Sequence, residues 1–120
     1  AEGQKIIAEL NKMQVEQNQT QQQISNAKSE LKISLEKSAS TFIFLGDYAK
    51  ALDVYQQLLK LAKENPTDNN EGAIIKDIGD TYLALGRYGK AINYLQYSLK
   101  IAQKNQDVKL EGYSIASLGN

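Results

Sequence analysis

A repeat of 40 residues runs through the second half of this chain and limits its fold more than any other feature. With residues 46–80 laid over 86–120, Gly46 falls on Gly86, Tyr48 on Tyr88, Lys50 on Lys90 and Ala51 on Ala91. Gln56, Leu59, Lys60, Ala62 and Asn65 fall on Gln96, Leu99, Lys100, Ala102 and Asn105. Glu71, Gly72 and Gly79 fall on Glu111, Gly112 and Gly119. A fixed period of this length is the mark of a helical array, in which each unit buries its apolar face only by stacking on the next.

Each unit reads as two helices. Ile75, Ile78, Gly79, Tyr82 and Leu85 recur at steps of three and four residues, which is one face of a helix. Gly86 then ends that helix, since glycine enters the left-handed region without steric cost. The second helix carries Tyr88, Ala91, Ile92, Leu95, Leu99 and Ala102, and the polar run Gln103–Lys109 closes it. The preceding unit has the same layout: Leu35, Ala39, Phe42 and Leu45, then Gly46, then Tyr48, Ala51, Leu52, Tyr55, Leu58, Leu59 and Ala62. Pro66, in the loop from Asn65 to Asn70, punctuates the end of that unit. The expected organisation is an N-terminal segment over 1–31 and an array over 32–120. The array's units span 32–71, 72–111 and a short third, 112–120.

Gly79 falls inside a helix, where glycine costs about 1 kcal/mol against alanine. Close approach of a neighbouring helix would compensate, and Gly119 at the same place one period on argues that the position matters. Ala51 and Ala91 would likewise let two helices cross closely.

Ile78, Gly79, Tyr82, Gly86, Tyr88, Ala91 and Leu95 together resemble the tetratricopeptide repeat family. The earlier unit fits through Gly46, Tyr48, Ala51 and Tyr55, with Ser38, Ala39 and Phe42 departing from the pattern; the third offers Ile115, Leu118 and Gly119. The period exceeds the family's usual one of about 34 residues and looks like its long-repeat branch. The resemblance implies an all-α fold, antiparallel helix hairpins stacked as an α-α superhelix. It also implies a concave groove, lined mostly by first helices, that holds extended peptides or partner helices.

The helical wheel names candidates for such a face: the stripe opposite the core on each first helix. In the earlier unit these are Glu36, Ser40, Ile43 and Phe44. The next supplies Lys76, Asp77, Asp80 and Leu83, and the last Tyr113, Ala116 and Asn120. Ile43 and Phe44 are large apolar residues on a face expected to be wet. They either mark a contact surface or pack against the N-terminal segment. Asp80 and Asn120 lie one period apart, and both carry groups able to hydrogen-bond a peptide backbone. The family's clamp for C-terminal carboxylates uses paired Lys, Arg and Asn, and Glu36 and Ser40 in one unit with Lys76, Asp77 and Asp80 in the next do not match it. Asp77 and Asp80, on an open face, read as surface carboxylates.

Residues 1–31 stand apart from the repeat. Ile6, Ile7, Leu10 and Met13 make a short apolar stripe, followed by a Gln-rich stretch and then Ile24, Ala27 and Leu31. With no Gly or Pro over 4–45, the segment is two helices or one long one. Apolar spacing at 6, 10, 13, 24, 31 and 35 fits a heptad that Gln17 and Thr20 interrupt. The segment either caps the first repeat or pairs with a second copy as a homodimer.

Composition narrows the function. There is no His, Cys or Trp. Imidazole and thiolate metal sites are therefore ruled out, as are Ser-His and Cys-His nucleophile pairs. No catalytic residue, metal or cofactor is expected. Fourteen basic and fourteen acidic residues give a net charge of zero, so no nucleic acid or membrane is drawn in at long range. No targeting segment is visible, and a cytoplasmic location fits. The expected role is to hold a protein or peptide; the alternatives are a self-associating structural element, or a regulatory array joined to an enzyme domain outside these residues.

Overall fold

The computed structural model describes residues 1–65 and 70–119. Pro66 and its neighbours to Asn69, and the candidate Asn120, lie outside the described residues. Five helices account for almost all of the rest: α1 Glu2–Phe44, α2 Tyr48–Glu64, α3 Glu71–Ala84, α4 Tyr88–Lys104 and α5 Val108–Gly119. The chain is all-α, a repeat of helix hairpins, and no strand occurs among the described residues. Among them, no helix is long and apolar enough to cross a membrane. By contacts the chain divides into two units, Ala1–Ile33 and Ser34–Asn120.

In the first unit the chain is helical without a break, so residues 1–31 belong to one long helix rather than two. Every residue from Ala1 to Leu31 is exposed. Gln14 donates to Asn18 and Gln22 to Asn26 one turn on, at 3.2 and 3.1 Å, the kind of pair that supports an exposed helix surface.

In the second unit the turns come first. Gly46 and Gly86 adopt φ of 74° and 75°. The N–H after each, of Asp47 and Arg87, reaches back to the carbonyl of Phe42 and Tyr82 at 2.9 Å. That bond satisfies an orphan carbonyl at the helix end and reverses the chain. The α4–α5 joint uses the same device: Asp107 N–H bonds the Ala102 carbonyl at 2.8 Å. There Gln106 takes the left-handed position at φ 56°, at a steric cost that glycine avoids. The Asp47 and Asp107 side chains then cap α2 and α5, accepting from the N–H of Lys50 and Leu110 at 3.2 and 3.1 Å.

α3 is the centre of the unit, packed between α2 and α4, while α4 also packs on α5. Because α3 has neighbours on both sides it buries more than the single stripe expected. Gly72, Ile74 and Thr81 join Ile75, Ile78 and Gly79. Ala39, Val54, Leu58, Ile74 and Ile78 form one core cluster, flanked by Leu35, Phe42, Tyr55, Tyr82 and Tyr94. In α4 the buried seam is Ala91, Leu95, Ser98 and Ala102, so Tyr88 and Ile92, expected in the core, stand exposed. Leu45 and Leu85 are exposed as well, because each sits beside the turn glycine where the helices splay into the loop.

Gly79 sits where a helix comes close. A Cβ built there would lie 2.7 Å from Leu95 Cγ and 3.3 Å from the Ala91 carbonyl oxygen. Ala91 is itself fully buried, as is Ala51. Gly119, one period on, would meet nothing within 4 Å.

The Lys at 50 and 90 also gains a physical reason for recurring. Lys50 Nζ lies 5.8 Å from the Phe42 ring centroid, and Lys90 Nζ lies 5.5 Å from that of Tyr82. Both units thus close the same cation–π contact across the hairpin turn.

Candidate partner-binding face

The stripe named from the sequence is brought together in part. On α3, Lys76, Asp77, Asp80 and Leu83 are all half-buried. Lys76 Nζ contacts Asp80 Oδ2 at 2.7 Å, one helical turn along. The same ammonium lies 5.5 Å from the centroid of Tyr113 on α5, so Lys76 joins two first helices. Lys109 approaches that ring too, at 5.9 Å. Tyr113 and Ala116 are exposed. On α1, Glu36, Ser40 and Phe44 are exposed and Ile43 is half-buried. Among the described residues, no hydrogen bond or ion pair ties these four to the α3 group. Phe44, at 88% exposure, is the most exposed large apolar residue of the described chain.

Asp77 departs from the sequence reading, which placed it on the surface. Burial pushes its carboxyl up to about 6; Lys76 opposes that shift and Asp80 adds to it. Tyr55, from α2, faces the same pair of carboxylates. Its phenol is pushed up to about 12 by burial and then by the charges of Asp77 and Asp80. The wheel missed this because it treats α3 as a lone cylinder, whereas α2 covers one flank of the stripe. Two carboxylates therefore meet here with one ammonium, which already lies on Asp80.

The Asp77 charge has a sign for stability. Its carboxyl titrates near 3.8 in the unfolded chain and near 6 in the fold. The fold thus favours the protonated form. The stabilisation this gives is complete below about pH 4 and is lost as pH rises through about 6. Asp77→Asn is expected to stabilise the protein by about 1–2 kcal/mol near pH 7, after allowance for solvent screening. It is also expected to flatten stability between about pH 4 and 7. Urea unfolding at several pH values reads this out, and equal slopes in the two proteins would contradict it.

Sequence reasoning also missed two buried hydroxyls. Ser98 on α4 and Ser114 on α5 are fully buried and lie 2.9 Å apart, while Ser98 Oγ donates to the Gly72 carbonyl on α3 at 3.1 Å. The alignment held a signal, since Ser98 falls on Leu58 and Ser114 on Ile74. Two apolar positions on facing helices turn polar together.

Hairpins joined by left-handed turns, close helix crossings at small residues and a polar stripe along the first helices define a helical-repeat array. The chain belongs to the tetratricopeptide repeat family, whose sequence model matches residues 31–104. Such repeats generally serve as protein–protein interaction modules. Among curated proteins, none matches the chain.

Proposed function

We propose that the array holds an extended segment of another protein along the α3 and α5 stripe, and that this segment offers a basic side chain to Asp77 and Asp80. The observation that carries the reading is the surplus carboxylate. Lys76 answers Asp80 at 2.7 Å, while Asp77 keeps its charge near neutral pH against the burial that raises its pKa. A carboxylate retained at a cost to the fold fits a binding role. Tyr113 and Leu83 supply apolar area beside it, and Ser40, Glu36, Ile43 and Phe44 are candidates for extending the contact along α1. Ala116 leaves room for backbone to approach α5. The chemistry is recognition, with no side chain in the stripe assigned a catalytic role.

The test uses two pools of short peptides, one with a central Lys or Arg and one with a central Glu, titrated against the protein by fluorescence anisotropy. The basic pool is expected to bind roughly tenfold tighter, as one partly desolvated ion pair would give. That preference should vanish in the Asp77→Asn/Asp80→Asn double variant. Equal binding of the two pools would count against the reading.

A further inference from the structure

Within the first unit, α1 carries an apolar face and buries none of its residues. Isolated helices owe most of their stability in proteins to packing of one face, and propensity alone sustains them poorly in water. Yet all residues from Ala1 to Leu31 are helical or flank the helix start, and all are exposed. Ile6, Leu10, Met13, Ile24 and Leu31 are each 49% exposed or more.

The helical register sorts these residues. Steps of four and three place Ile6, Met13, Thr20 and Ala27 at d, and Leu10, Gln17, Ile24 and Leu31 at a. The seam holds over the whole unit, with a polar layer at Gln17 and Thr20. The flanking positions separate the two ways of pairing a second copy. In a parallel pair, each g residue faces the e residue of the next heptad. Glu9 then meets Gln14, Glu16 meets Gln21 and Gln23 meets Lys28, with no like charges opposed. In the antiparallel pair that matches the same apolar layers, Ile6 faces Leu31 and Met13 faces Ile24. That arrangement sets Glu9 against Glu30 twice.

From this seam and these flanks we infer that the Ala1–Ile33 helix pairs with a second copy of itself as a parallel, in-register, two-stranded coiled coil. Gln17 meets its own copy across the seam, where two amides can hydrogen-bond each other. A slipped register would set each amide against an apolar residue, so the polar layer fixes the alignment at a cost in affinity. Each strand continues into its own array, which gives the assembly two copies of the binding face.

The 120 residues hold no cysteine, so introduced ones report cleanly. Sedimentation across a roughly hundredfold concentration range is expected to show a monomer–dimer equilibrium. Ile24→Lys, which puts a charge in the seam, should weaken it at least about tenfold. Met13→Cys and Ile24→Cys proteins, mixed and oxidised, should each form disulfides only with their own kind. A monomer throughout would mean that the face is solvated or is covered within the chain, and would overturn the inference. Disulfides between residues 13 and 24, or a trimer or larger species, would overturn it equally. Loss of peptide binding leaves these readouts untouched, so this assembly and the binding reading stand or fall separately.

Discussion

Leu95→Ala is expected to cost the protein about 2–5 kcal/mol, a large share of the stability of a domain this size. Leu95 is fully buried and rests on Gly79, at the crossing of α3 and α4. Gly79→Ala alone should also destabilise. Its new methyl would lie 2.7 Å from Leu95 Cγ and 2.9 Å from Leu95 Cδ2. Overpacking of that kind costs about 1–3 kcal/mol, against about 1 kcal/mol regained from helix propensity. The two changes should not add. With Leu95 cut back to alanine, the methyl at 79 occupies part of the vacated space, and the double variant should recover at least about 1 kcal/mol of the summed losses. Urea unfolding of the four proteins gives the cycle. Strict additivity would show that Gly79 is there for some reason other than Leu95.

Ser98→Leu should be the second severe change, at about 2–4 kcal/mol. It strips the Gly72 carbonyl and the Ser114 hydroxyl of a buried partner, worth about 1–3 kcal/mol, and adds bulk in a tight place. A Cβ on Gly72 would already come within 2.7 Å of Leu110 Cδ2 and 2.9 Å of Ile101 Cγ2. Adding Ser114→Ile should win back part of the loss, because the pair then copies Leu58 and Ile74, which share the core cluster one unit earlier. If the double variant were less stable than Ser98→Leu alone, the two interfaces would not be equivalent.

How far the sequence could be read depended on whether a residue's role was local. Gly46 and Gly86 were legible because a turn needs its glycine within a few residues of the helix end. Gly79 was legible because its cost in a helix demanded a nearby helix, and Leu95 supplies it. The stripe on α3 could be named from the helical period, but the half-burial of Asp77 and its charge contact with Tyr55, some 20 residues away in sequence and on another element, could not. A wheel drawn for one helix contains no such neighbour. The same limit put Tyr88 and Ile92 in the core: α4 divides its contacts between α3 and α5, and its seam runs through Ser98, which hydrophobicity alone would send outward. In the N-terminal helix the heptad could be counted from the sequence, whereas the exposure of every residue to Leu31 came from the structure.

The hydroxyl pair has a consequence for how an array keeps its order. Neighbouring units this alike can be mistaken for one another while the chain folds, the characteristic hazard of repeat proteins. Were α2 to dock where α4 belongs, Leu58 would press on the Ser114 hydroxyl and leave it without a partner. Were α4 to dock onto α3 in place of α2, Ser98 would face Ile74. Each wrong match buries an unanswered polar group, while each right one answers like with like. Ser98 and Ser114 thus number the units, letting a nearly periodic chain tell its second interface from its first.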